Sequence, residues 1–88
     1  MLEKDIQIKL INGLHARPSA SIAGKLAKMD IDFATISTEK ITVNARSIME
    51  LLTSCILVDT IVHVKVSGKD AETAMKTIED VLTTNIFI

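Results

Sequence analysis

The stretch TIVHVKVSGKDAETAMKTIEDVL, residues 60–82, contains both of the periodicities from which the fold class follows. Its first part alternates, with Val62, Val64 and Val66 on one face, and this period of two predicts a strand with one buried face. After the Ser67-Gly68 turn the apolar period becomes that of a helix. The apolar face of this helix contains Ala71, Ala74, Met75, Ile78, Val81 and Leu82. A half-buried strand beside an amphipathic helix indicates a sheet covered by helices.

The same two patterns recur toward the N-terminus. Residues 6–10 alternate as a strand, and a helical period then begins near Pro18 and continues to Met29. Proline suits the first turn of a helix because its missing N–H has no partner there. Small side chains are predicted to form the inner stripe of this helix, which is flanked by Ile22, Leu26 and Met29: Ala16, Ala20, Ala23 and Ala27. Such a stripe would let the helix lie close to the sheet.

The central part of the chain predicts two short strands and a short helix. The strands are expected at residues 31–37 and 41–43. Ser47 and Glu50 have the spacing of a capping box, in which each side chain bonds the backbone N–H of the other residue. The short helix that starts there is predicted to end at about Ser54.

The resulting order, β-α-β-β-α-β-α, indicates an α+β fold with an antiparallel sheet and helices on one side. From the pattern alone, the nearest alternative is a ferredoxin-like βαββαβ domain in which the short middle helix is an elaborated loop.

Composition restricts the class of protein. The chain has 88 residues, a length that corresponds to a single domain over residues 1–88, and a net charge of −1 that gives no basic surplus for nucleic acid. Its single cysteine, Cys55, favours a reducing compartment. Charged residues interrupt any apolar run at the start, and no apolar stretch approaches the roughly 18 residues of a membrane span. We therefore expect a cytoplasmic protein without membrane insertion.

The candidate site lies in NGLHARPSASIAG, residues 12–24. His15 precedes the predicted helix, whose first N–H groups point outward and favour anions. Arg17 adds a fixed positive charge that matches phosphate oxygens, and Gly13 permits a sharp turn. Because imidazole is a nucleophile at neutral pH, the pattern indicates a site that accepts and passes on a phosphoryl group. A simple helix-capping role for His15 is the alternative interpretation.

Other motifs restrict where such a phosphoryl group could originate. The sequence has neither a phosphate-binding Walker loop nor an acidic metal cluster. We therefore expect the group to come from another protein, with no cofactor and no metal involved.

Two segments resemble the signatures of the HPr family, the histidine-containing phosphocarriers of the bacterial sugar phosphotransferase system. GLHARPSA resembles the family's phosphorylation-site signature, and TVNARSIMELL resembles the signature around its regulatory serine. The similarity extends over nearly the whole chain. It implies an open-faced β-sandwich, with a four-stranded antiparallel sheet and three helices on one face.

The resemblance also implies a function and a set of roles. His15 would accept a phosphoryl group from Enzyme I, which obtains it from phosphoenolpyruvate, and pass it to the IIA domain of a sugar permease. The backbone N–H groups of Ala16 and Arg17, together with the Arg17 side chain, would stabilise the group. Such a protein is a carrier rather than an enzyme, and we expect a monomer.

A regulatory site and a docking patch follow from the same resemblance. Ser47 matches the serine that HPr kinase/phosphorylase modifies in many relatives, which implies a catabolite-control transcription factor as a further partner. Ala20, Ile48, Met49 and Leu52 are the candidates for an exposed apolar docking patch. An alternative function is that of a regulatory paralogue which acts mainly through protein binding, and a ferredoxin-like module that binds a small molecule is a third.

The chain also departs from the family pattern. One extra residue is expected in the Thr38–Lys40 turn, Glu50 stands where many relatives have glycine or lysine, and Cys55 and Asp59 stand where relatives usually have glycine. We interpret Cys55 as a buried thiol and His63 as a structural residue on a strand surface. The apolar C-terminal residues 85–88 are expected either to pack on the domain or to contact another chain.

Overall fold

The computed structural model describes residues 1–84, so the interpretation of residues 85–88 lies outside the described part of the chain. Its elements are β1 (Leu2–Gln7), α1 (Ala16–Leu26), β2 (Phe33–Ser37), β3 (Thr42–Asn44), α2 (Ile48–Thr53), β4 (Ile61–Ser67) and α3 (Ala71–Thr83). All strand pairs are antiparallel, in the order β1-β4-β2-β3. The predicted order of elements and the open-faced sheet with three helices are therefore confirmed. In the described residues, no helix combines the length and the apolarity that crossing a membrane requires.

The core lies between one face of the sheet and the helices. Val62, Val64 and Val66 are fully buried, whereas the side chains between them on β4 remain partly accessible. Every residue of the predicted apolar face of α3 is also buried. The alternation on β4 and the helical period on α3 thus locate the two sides of the core as the sequence predicted.

The first strand ends earlier than its alternation predicted. β1 stops at Gln7, although Ile8 and Leu10 are both buried. The backbone N–H of Lys9 donates to the carbonyl of Leu82 at 2.9 Å, so the chain has turned from the sheet toward α3 at this point. Backbone pairing extends one residue beyond β1, because the N–H of Ile8 donates to the carbonyl of Thr60 at 2.9 Å and the Ile8 carbonyl accepts the N–H of Asp59 at 2.8 Å.

The prediction for the inner face of α1 is correct for its flanking Ile22 and Leu26, which are buried, and wrong for most of its alanine stripe. Among its alanines only Ala23 is buried, and Ala16, Ala20 and Ala27 are exposed. The buried residues of this helix are Pro18, Ser19, Ile22, Ala23 and Leu26. The helix turns its larger apolar side chains inward because burying isoleucine or leucine removes more apolar surface from water than burying alanine.

The inner face of α1 also contains a polar side chain. Ser19 is fully buried, and its hydroxyl has no hydrogen-bond partner among the described residues. A buried hydroxyl without a partner destabilises a fold. The buried Ser19 hydroxyl is therefore an unfavourable element in the packing of α1 against the core.

Candidate functional site

His15 occupies the N-cap position of α1. Its backbone is extended, with φ −98° and ψ −165°, and its carbonyl accepts the N–H of Ser19 at 3.1 Å. Its half-buried side chain makes no capping hydrogen bond. Helix geometry gives the first N–H groups, those of Ala16 and Arg17, no acceptor within the helix. A histidine ring that does not cap thus stands beside donors that an anion can use.

The charges around this helix start are suited to an anion. Arg17 is exposed in the first turn, which contains no acidic residue. Lys25 is exposed in the last turn of α1, and Lys28 is exposed just after the helix ends. The positive end of the helix dipole and the guanidinium of Arg17 therefore act in the same direction.

The loop that presents His15 is anchored to the segment after α2. Gly13 has φ +69°, and a Cβ at this position would lie 2.5 Å from the carbonyl oxygen of Ile56. The N–H of Leu14 donates to that same carbonyl at 2.9 Å, and the Leu14 side chain is buried. Only glycine allows the two backbones to approach this closely with the required dihedral angle.

The anchoring segment contains two non-glycine residues with positive φ. Cys55 has φ 54° and Asp59 has φ 69°, at the two positions where the family resemblance led us to expect glycine. A left-handed backbone costs an ordinary residue about 1–2 kcal/mol and is better tolerated by aspartate. The N–H of Asp59 donates to the carbonyl of Ile8 at 2.8 Å, which ties this end of the segment to the chain beyond β1.

The interpretation of Cys55 as a buried thiol is wrong, because this residue is exposed. Its neighbour Ile56 takes the inward position and is buried. The left-handed backbone at Cys55 turns the chain away from the axis of α2. The helical period therefore no longer determines which side chain points toward the core.

The four candidate docking residues are all exposed on two helices that pack against each other. Ile48, Met49 and Leu52 expose 44%, 68% and 39% of their surface, and Ala20 is also exposed on α1. Leu51 is fully buried and attaches α2 to the core. Each of the four candidate side chains is thus accessible to solvent in the free protein.

An exposed residue near this surface was missed by the sequence analysis. Leu57 is 67% exposed and follows Ile56, and its Cα would lie only 3.2 Å from a Cβ at position 13. An apolar side chain therefore projects into solvent next to the loop that presents His15. The sequence feature that could have predicted its exposure is the apolar run at residues 56–58, because three consecutive side chains cannot all point toward the core.

The predicted capping box at α2 is half correct. The hydroxyl of Ser47 accepts the N–H of Glu50 at 3.2 Å, as predicted. The Glu50 carboxylate, however, accepts the N–H of Asn44 at 3.0 Å instead of that of Ser47. The N–H of Ser47 is already used, because it donates to the carbonyl of Asn44 at 3.0 Å. The Glu50 carboxylate therefore accepts the backbone N–H of Asn44, the last residue of β3.

Metal-binding side chains do not gather at this site. In residues 1–84, no group of three or more histidine, cysteine, aspartate or glutamate side chains is arranged so that it could hold a metal ion.

Known proteins resemble this chain over almost its whole length. The sequence model of the family described as "PTS HPr component phosphorylation site" matches residues 2–84. The phosphocarrier protein HPr of Xylella fastidiosa is 32% identical over 91% of this chain and 89% of its own. HPr of Buchnera aphidicola is 31% identical over 96% and 98% of the two chains. The crystal structure of HPr from Thermoanaerobacter tengcongensis, 32% identical, superposes with a TM-score of 0.83 over 93% of this chain and 91% of its own.

Proposed function

This chain belongs to the HPr family of phosphocarrier proteins of the phosphotransferase system, and we propose that His15 is the residue that carries its phosphoryl group. In this proposal the group arrives from Enzyme I and leaves to the IIA domain of a sugar permease, in the cytoplasm. The observation that supports it most directly is the position of His15. Its ring makes no capping hydrogen bond and lies at the start of α1, where the first N–H groups have no acceptor within the helix.

The proposed transfer needs only groups that this site contains. A lone pair on a ring nitrogen of His15, Nδ1 by resemblance to the family, attacks phosphorus and forms the N–P bond. The bond from phosphorus to its donor atom breaks at the same time. The N–H groups of Ala16 and Arg17 and the Arg17 side chain then stabilise the phosphoryl oxygens. Transfer to the next protein is the same step in reverse, with a new acceptor.

The exposed apolar surface on α1 and α2 is suited to transient docking of both partners. A carrier has to bind Enzyme I and a IIA domain in turn, so the same patch has to be accessible in the free protein. Ala20, Ile48, Met49 and Leu52 meet this requirement. The exposed Lys25 and Lys28 would steer acidic partners toward it.

Serine regulation is a second part of the proposal. Ser47 is half-buried at the N-cap of α2. A phosphate added there by HPr kinase/phosphorylase would lie beside Ile48 and Met49 and place about −1.5 to −2 charges at the edge of the docking patch. Such a charge would weaken docking of acidic partners and create a site for a catabolite-control transcription factor.

Phosphorylation with purified components tests the role of His15. The protein is incubated with phosphoenolpyruvate and Enzyme I, and the stability of the adduct is followed in acid and base. We expect an acid-labile, base-stable adduct that is absent from a His15→Ala variant and unchanged in a His63→Ala variant. His63 is a matched control because it is the only other histidine. Adduct that persists in His15→Ala, or that disappears in His63→Ala, would overturn the assignment.

A further inference from the structure

A charged cluster lies on the open face of the sheet, away from the helices. Both ring nitrogens of His63 on β4 contact carboxylates of β1. Nδ1 lies 2.6 Å from Asp5 Oδ1, and Nε2 lies 2.8 Å from Glu3 Oε1. Asp5 is the direct antiparallel partner of His63, and Glu3 lies two residues away on the same side of β1. One imidazole thus bridges two positions along the strand.

This geometry determines the protonation state of the imidazole. A neutral histidine has one N–H donor and one lone pair, while an ionised carboxylate has only acceptors. Both contacts can therefore be hydrogen bonds to carboxylates only when both ring nitrogens carry a proton. In agreement, the hydrogen bonds to Asp5 and Glu3 raise the pKa of His63 above its usual value. The hydrogen bond from His63 in turn lowers the pKa of Glu3.

The bridge holds a strand that has few other attachments. β1 is at the edge of the sheet and pairs with β4 alone. Glu3, Lys4 and Asp5 are exposed, and Ile6 is the only residue of this strand in the buried class. On the side of the helices, Lys4 Nζ contacts Glu79 Oε2 of α3 at 2.7 Å. The first half of β1 is therefore held by its ladder, by the partly buried Leu2 that packs against the core, by the Lys4–Glu79 pair and by His63.

We propose that His63 is a proton-dependent clamp on the edge strand. The imidazolium bridges Glu3 and Asp5 and holds the first half of β1 against β4. When the ring loses a proton, one nitrogen presents a lone pair to a carboxylate, that bridge is lost, and the strand opens more often. The added stability is fully present below the unfolded-state pKa of His63, about 6.5. It is lost as the pH rises through the raised pKa of the folded state.

The neighbouring groups favour the same assignment. Lys65 lies two residues after His63 on β4, and its Nζ lies 3.9 Å from Glu3 Oε1. Its positive charge favours the ionised form of the Glu3 carboxylate. On β2, Thr35 and Ser37 stand opposite Lys65 and His63, and neither is ionisable in this range. Ser37 donates its hydroxyl to the His63 carbonyl at 3.1 Å, away from the ring. Glu3, Asp5 and Lys65 are thus the charged groups that face the imidazole.

Hydrogen exchange resolved by residue tests the clamp. The full chain is studied by NMR between pH 5 and 9, and protection of the amides on β1 is corrected for the intrinsic pH dependence of exchange. In the wild type we expect β1 protection to fall across the titration of His63, by about tenfold for every unit by which the folded-state pKa exceeds the unfolded one. Amides shared by β2 and β4, which exchange only when more of the sheet opens, serve as the comparison and should show a fall no larger than that of β1.

Three variants make the outcome decisive. In His63→Gln the step in β1 protection with pH should disappear. In Lys4→Gln, the matched control, β1 protection should fall at every pH while the step remains. In Asp5→Asn, which keeps a neutral partner, the titration midpoint of His63 should move down and the step should shrink. The clamp is overturned if β1 protection in the wild type does not depend on pH, or if the His63 midpoint is the same in the wild type and Asp5→Asn.

Discussion

Replacement of Gly13 by alanine perturbs the contact that anchors the His15 loop. An L-residue at φ +69° costs about 1–2 kcal/mol. The new Cβ would lie 2.5 Å from the Ile56 carbonyl oxygen, which is backbone and cannot simply rotate away. Moving that oxygen would break its hydrogen bond with Leu14, which is worth about 1 kcal/mol. We therefore expect a loss of about 2–3 kcal/mol, or roughly 8–24 °C in Tm for a domain of this size.

The matched control is Gly24→Ala, on the exposed side of the last turn of α1. No heavy atom lies within 4 Å of a Cβ at this position, and its φ is not in the left-handed region. Alanine is favoured over glycine in a helix by about 1 kcal/mol, so this variant should melt about 4–8 °C higher than the wild type. The same change of side chain thus has opposite effects at two positions of one chain.

Thermal and urea denaturation measure the two stabilities, and phosphorylation by Enzyme I measures the site. Below its melting range, Gly13→Ala should also be phosphorylated more slowly, whereas Gly24→Ala should keep the wild-type rate. A Gly13→Ala protein that loses less than about 0.5 kcal/mol, the usual size of a surface effect, would show that Gly13 is not constrained as described. Wild-type phosphorylation in that variant would show that the Leu14–Ile56 contact does not position His15.

Three further substitutions have defined outcomes. Ser19→Ala removes a buried hydroxyl that has no partner among the described residues, so it should raise the free energy of unfolding in urea by about 1 kcal/mol. A destabilised variant would show that the hydroxyl makes a hydrogen bond. Cys55→Gly relieves a left-handed cysteine and should raise the unfolding free energy by about 1 kcal/mol, more than Asp59→Gly does; equal gains would contradict the assigned strain. Met49→Glu should leave Tm within a few degrees and weaken Enzyme I binding in calorimetry, whereas an unfolded variant would place Met49 in the core.

Local patterns were sufficient for most of the fold. The valines of β4 and the apolar face of α3 were located correctly because each has one dominant period and one apolar face. In α1 two apolar arcs compete, one of alanines and one that contains Ile22 and Leu26, and the pattern does not say which arc faces the sheet. The packing of larger side chains decided between them.

The details of the site depend on contacts between distant segments. The partner of the Glu50 carboxylate is set by where β3 ends, which brings the N–H of Asn44 within reach. The exposure of Cys55 depends on a left-handed backbone that the period of α2 does not predict. His63 was correctly placed on a strand surface, but its two carboxylate partners come from the other end of the chain. Local periods in the sequence therefore do not encode these contacts between distant segments.

The start of α1, with no side-chain cap and no acidic residue in its first turn, has a consequence for group-transfer potential. Under the proposed function, a carrier that loads at His15 must also unload, so its phosphorylated form cannot lie in a deep energy minimum. Each 1.4 kcal/mol of extra stabilisation would shift the exchange equilibrium with the next acceptor about tenfold toward retention. Exposed helix-end donors stabilise an anion by only about 0.3–1 kcal/mol. A shallow, solvated phosphate site therefore keeps the phosphoryl group exchangeable in both directions, whereas a buried and fully satisfied site would trap it.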